Sequence, residues 1–433
     1  MKQTRYLCII LCVALGLTTA CTEKENTTTV SSDTTLSMFY LSHDSVSAIK
    51  KTKFIIDNDS NLIYNTDSLP YLAPMHQLTP TIFGNALKSI VINDTITYTG
   101  KDTIDFTKPV TIRTLAADGE STRTYIVRAC AHQIDPDLYN WQGVNSELFA
   151  DPTVVQQKTV IHDNRLLHFV RNATDIALFV STNGTQWTRA AVTGLPATTD
   201  LDGIVATDSC LLAIDGNTLY QAASTPTTWT ARANGLPVSR LAFAMNNQLF
   251  AIGQNADTHC MFASSDLTTW NNLGNLPNTF PDSDFAVCVD AEPSGKYRAF
   301  VVGGKQADGT ILGTVWSSAD GSYWANLSAA KEWFAPRYGA TVVQYADQLL
   351  LIGGADDNGP RTDKQWYSPD FGLTWDTVAA KDALPDLWLP RHGHSTVVDG
   401  DNYIYIVGGQ TATTVLSDVW KGRKNSEAPG FVN

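Results

Sequence analysis

Two segments place a tryptophan a few residues before an arginine: Lys331-Glu332-Trp333-Phe334 ahead of Arg337, and Asp386-Leu387-Trp388-Leu389 ahead of Arg391. An exposed indole stacks on the apolar face of a sugar ring, and a guanidinium grips a carboxylate with two parallel hydrogen bonds. Together they suit an acidic glycan. Arg240, Asp282 and Asp284 fall in comparable loop segments and complete the candidate ligand-binding set, with Asp200, Asp202 and His392 beside them. Paired carboxylates such as Asp282 and Asp284 are also what a glycoside hydrolase uses. Glu332 is the one glutamate placed to act as a catalytic group. The competing reading is architectural: such arginines serve a repeat's interior, and Trp333 and Trp388 pack between repeats. His392 and His394 alternate along a strand start and so point to opposite faces. HExxH, GxSxG, GxGxxG and phosphate-loop patterns do not occur. No metal and no cofactor is expected.

A repeat positions these residues. From about residue 138, apolar runs recur at Leu167-His168-Phe169-Val170, Leu211-Leu212-Ala213-Ile214, Leu249-Phe250-Ala251-Ile252, Phe300-Val301-Val302, Leu350-Leu351-Ile352 and Tyr405-Ile406-Val407. The last three end in Gly-Gly. Trp141, Trp187, Trp229, Trp270, Trp324 and Trp375 follow at spacings of 41 to 54 residues. That period suits one four-stranded propeller blade per repeat. The final unit has three strands and no terminal tryptophan. Tyr139-Asn140-Trp141-Gln142 therefore supplies its outer strand, and the ring closes at six blades, with no open end left to pair with another chain.

Ser368-Pro369-Asp370-Phe371-Gly372-Leu373-Thr374-Trp375 resembles the Asp-box pattern, with degenerate copies ending at Trp187, Trp270 and Trp324. The Gly-Gly doublets, Pro336-Arg337-Tyr338-Gly339, Pro390-Arg391-His392-Gly393 and Asp418-Val419-Trp420 are similar to kelch repeats. The resemblance spans residues 138–425 and implies an all-β, six-bladed propeller. It also brings two activities with it, sialidase-like and sialic-acid-epimerase-like; the Arg-Ile-Pro start of sialidases is missing. Asp-box turns belong to one face of such a ring. Loops between blades belong to the other, with the candidate ligand residues.

Residues 34–133 read as a separate immunoglobulin-like β-sandwich, with short alternating strands bounded by Asn, Asp and Gly and a closing strand at Thr124-Tyr125-Ile126-Val127-Arg128. Residues 1–20 read as a signal peptide: Lys2 and Arg5 precede an apolar run too short to span a bilayer. Leu17-Thr18-Thr19-Ala20-Cys21 resembles a lipobox, making Cys21 the lipidation site, and 21–33 has the composition of a flexible linker. Acidic residues directly after Cys21, and Ile63-Tyr64-Asn65 with Asp67-Ser68-Leu69-Pro70, resemble two-part lipoproteins of Bacteroidetes type. This implies an outer-membrane location, with the lipid anchor as the membrane partner. The net charge of −13 argues against nucleic acid, which needs clustered Lys and Arg. Cys130, Cys210, Cys260 and Cys288 lack metal-ligand spacing; they read as buried free thiols, with a disulfide among them the alternative outside the cytoplasm. The expected function is a non-catalytic propeller binding a glycan or a cell-surface protein; the alternatives are a glycan-active enzyme and a scaffold in an envelope complex.

Overall fold

The computed structural model describes residues 30–428, apart from 224, 257, 293, 362 and 363. The signal segment 1–20 and Cys21 lie outside these residues. The chain divides between Gln133 and Ile134 into two compact units.

The first unit is a β-sandwich whose strands are shared six to two between its sheets. The larger sheet runs in the order Phe54–Asp57, Leu62–Asn65, Thr122–Arg128, Val110–Ala116, Leu87–Ile92 and Ile96–Thr97. Leu62–Asn65 and Thr122–Arg128 are parallel. Met38–Ser42 and Thr79–Phe83 form the smaller sheet. Period-two alternation builds the core: Val110, Ile112, Thr114 and Ala116 turn inward while their neighbours turn out. Leu41 of one sheet and Ile63, Ile92 and Tyr125 of the other meet in one buried cluster. The polar tips turned into this core are satisfied: the Tyr125 hydroxyl accepts from the Leu36 amide at 3.1 Å, and the Thr114 hydroxyl donates to the Thr34 carbonyl at 2.8 Å.

The second unit is a six-bladed propeller, each blade a four-stranded antiparallel sheet. The strands next to the channel are Gln156–His162, Val205–Ala206, Val238–Met245, Ala286–Ala291, Thr341–Tyr345 and Ser395–Val398 for blades 1 to 6. Second strands are covered by a blade on each side, which is why they read as continuous apolar runs rather than alternating ones; Leu166 to Val170 are all buried. The sixth blade is completed by Tyr139–Asn145, paired with Val415–Lys424 so that Trp141 lies opposite Gly422. A Cβ on Gly422 would collide with that indole, so glycine is required where the closing strand lands.

The Asp-box turns do local work. Asp370 accepts the Thr374 amide at 2.8 Å and its hydroxyl at 2.6 Å, while the Ser368 hydroxyl accepts from Gly372 at 2.7 Å. Asp266 repeats this with Thr268 and Thr269, and Asp320 with Ser322. The indole N–H groups of Trp187 and Trp324 then donate back to the turn carbonyls of Gly184 and Gly321. Cys210 and Cys260 are buried free thiols and Cys288 is half-buried; Cys130 departs from the expectation and is exposed.

Candidate functional site

Each inner strand is reached through a loop that begins at a proline in blades 3 to 6. Three residues further on stand Arg240, Asp284, Gly339 and Gly393. All four line the channel. The wider mouth has a volume of about 410 Å³ and narrows to a deeper section of about 80 Å³. On the side of blades 4 to 6 the rim is stitched by backbone: Gly339 donates to the Asp284 carbonyl and Gly393 to the Gly339 carbonyl, both at 2.8 Å. All three residues have left-handed φ, of 54°, 59° and 61°.

The opposite side of the mouth is charged. Arg240 lies over the Phe285 ring at 4.9 Å and 3.7 Å from Asp200. Its Nε is buried with no hydrogen-bond partner among the described residues. Burial works to raise the Asp200 carboxyl, but Arg240 and the amide of Gln156 outweigh it and hold the group below the usual carboxylate range. Arg171, at the end of a second strand, donates to the neutral Gln156 Oε1 at 3.1 Å. Lys158 faces the deeper section. Among the described residues neither Arg171 nor Lys158 has a carboxylate within ion-pair distance. On the rim, Lys305 pairs with Asp284 at 3.3 Å and sits over the Tyr338 ring at 3.4 Å. Burial, with Lys305 second, pushes His392 below its ordinary value, so it stands there as a neutral imidazole.

Of the residues singled out from sequence, Arg240, Asp284, Asp202 and His392 line this mouth. The tryptophan–arginine pairs do not. Arg337, Trp388 and Arg391 are fully buried, which overturns their reading as ligand residues. Arg391 donates to Asp418 at 3.0 Å and to the carbonyls of Gly408 and Leu389, and lies 4.8 Å over the Trp388 ring. Arg337 donates to the Gly353 carbonyl at 3.1 Å over Phe334. A guanidinium with so many donors can knit several loop carbonyls together, and a blade seam supplies them. Trp333 is half-buried against the neighbouring blade, with Lys331 over its ring at 3.7 Å. Glu332 is exposed and lines neither section of the channel. Asp282 turns away from the mouth, to His259 and to the Ala307 amide.

Lys158, Arg171, Lys305 and Tyr338 are the site residues that sequence reasoning missed. The signal for Arg171 and Lys305 was positional, since second strands end on the face where inner strands begin. Lys158 has no such mark. It is a lone cation in an otherwise ordinary strand.

Two family models cover the chain, the DUF6242 beta propeller domain over residues 135–431 and the domain of unknown function (DUF6242) N-terminal domain over residues 19–129. No curated protein matches. Among solved structures, one described as "Structure of YjhT" is similar at 14% identity and a TM-score of 0.46, covering 64% of this chain and 96% of that one. With the propeller model alone spanning more than half of its length, the chain belongs to the DUF6242 family.

Proposed function

We propose that the chain is a lipid-anchored outer-membrane protein whose propeller binds an acidic carbohydrate at the mouth of its central channel. The observation that supports it is a local surplus of positive charge. Arg171 and Lys158 face the channel without carboxylate partners among the described residues, and Arg240 keeps an unsatisfied Nε there. The chain as a whole carries −13. Cations without a carboxylate partner in a channel mouth, as Arg171 and Lys158 are, are matched by an anionic ligand, and their field steers one in. Tyr338 and Phe285 add ring surfaces beside them, and Gln156 and Gln410 add polar groups for hydroxyls.

Binding is the reading adopted for this mouth, where Asp200 pairs with a cation instead of standing as a proton donor. A general acid in glycoside hydrolysis needs a carboxyl raised towards neutrality. Asp200 is held low, and Glu332 lies outside the channel. Arg240→Ala should weaken binding of a uronic acid or sialic acid about tenfold to a hundredfold, the worth of a charge-assisted hydrogen bond of roughly 1.5–3 kcal/mol. Titration calorimetry with those sugars and their neutral parents measures it. Equal affinity for acidic and neutral sugars, or none for either, sinks the proposal.

The anchor rests on Leu17-Thr18-Thr19-Ala20-Cys21 and has its own test. Cys21→Ala removes the thiol that would carry the lipid, so the protein should move from the membrane to the soluble fraction. Retention in the membrane would contradict the anchor while leaving the binding proposal standing.

A further inference from the structure

Aligned on their leading prolines, blades 3 to 6 carry Arg240, Asp284, Gly339 and Gly393 at one equivalent position on the channel mouth. Blades 5 and 6 meet the left-handed backbone with glycine, for which that conformation has no Cβ penalty. Blade 4 holds the same conformation with an aspartate, at φ 54°. A left-handed aspartate is tolerated but strained relative to glycine. A carboxylate is therefore kept at 284 against the backbone's preference. Gly393 shows the converse: a Cβ built on it meets no heavy atom within 4 Å, so the space above it is open.

We propose that this position sets ligand specificity blade by blade. Arg240 takes the carboxylate, Asp284 accepts from hydroxyl or amide N–H groups of the sugar, and the bare Gly339–Gly393 arc seats the ring. The inference rests on the acidic-carbohydrate reading and sharpens it. A mouth of about 410 Å³ has room for one end of a ligand and not for a whole chain. The ligand class is then a free carboxylated monosaccharide or the terminal residue of a chain.

The test uses the detergent-solubilised full-length protein, with glucuronate, galacturonate and N-acetylneuraminate as probes. Gly393→Asn puts a side chain into the open space with a residue that accepts positive φ. It should weaken the best-bound acid tenfold or more without lowering the melting temperature. Gly295→Asn is the matched control, a left-handed glycine with equally open surroundings in the hairpin after Ala286–Ala291, at the other end of the inner strand. It should change neither. Asp284→Gly restores the residue of blades 5 and 6, so it should melt at or above the wild-type temperature. It should keep the preference for acids but lose discrimination between glucuronate and galacturonate. Wild-type affinity in Gly393→Asn, or unchanged discrimination in Asp284→Gly, overturns the inference alone. Should the wild-type protein bind none of the acids, the proposed function falls and this inference falls with it.

Discussion

Arg391→Ala is expected to cost about 3 kcal/mol of unfolding free energy, the lower end of what removing one partner of a buried ion pair costs. The lower end applies because the Asp418 side chain keeps about 21% of its exposure, while Arg391 keeps none. Truncation strands three acceptors at once. The Gly408 and Leu389 carbonyls lose their donors, and Asp418 is left with the Trp420 indole N–H at 2.7 Å. The cation that stacks on Trp388 also goes, leaving a cavity beside that ring. Arg391→Met combined with Asp418→Asn should recover part of the loss, because an amide oxygen still accepts from Trp420 and no buried charge is left unpaired. Chemical denaturation of Arg391→Met, Asp418→Asn and the double variant gives the coupling directly. A loss below about 1 kcal/mol, typical of exposed pairs, would mean the seam does not depend on Arg391. Ligand affinity in a folded Arg391 variant should stay at the wild-type level, since a seam residue and a site residue fail in different assays.

The tryptophan–arginine pairs show where sequence reading stops. Trp375 at the end of a Ser-x-Asp-x-Gly turn, and Trp141 left over ahead of the first repeat, made the blade count and the closing strand legible. Both depend on local turn chemistry and on period, which a sequence displays. Arg391 and Gly393 are two residues apart in one loop, yet the first is sealed in a seam and the second opens on the channel. Spacing cannot make that division, because the turn between them is set by pairing with the neighbouring blade, Gly393 to Gly339 and Gly354 to Arg391. Comparison of repeats would have helped more than residue chemistry did. Arginine follows the proline in blades 5 and 6, where a seam needs it. Blade 4 has Asp282 at that place and sends it outward to His259. The variable position two residues later is the one that faces the channel.

Acid is expected to destabilise the propeller before its carboxylates protonate, chiefly through two buried histidines. His168 bonds Thr159 Oγ1 through Nδ1 at 2.9 Å, and its Nε2 is buried without a partner among the described residues, in a wall that includes Phe149 and Trp187. His394 bonds Thr341 Oγ1 through Nε2 at 3.0 Å, edge-on to Trp388. Burial lowers both to about 3, and Arg391 and His392 add repulsion at His394. In the unfolded chain each titrates near 6.5. Between those values the unfolded state binds the proton and the folded state does not, so stability is full above about pH 6.5 and falls as pH drops towards 3. Each histidine contributes about 1.4 kcal/mol per pH unit in that window, which makes the pair worth roughly 4 kcal/mol between pH 6.5 and pH 5. The carboxylates held low by turn hydrogen bonds, such as Asp266 by the Thr269 amide, have the same sign. Their stability is lost only below the unfolded value near 4, so a comparison of pH 7 with pH 5 isolates the histidines, to which the lowered His392 adds with the same sign. His394→Gln keeps a polar partner for Thr341 and removes the titration, and should cut that pH 7 to pH 5 difference by roughly a third to a half. An unchanged difference in His394→Gln and in His168→Gln would place the acid sensitivity elsewhere. A shallow dependence in the wild type would mean the propeller opens enough in acid to hydrate these rings, and the channel lined by His394 would then be softer than its packing implies.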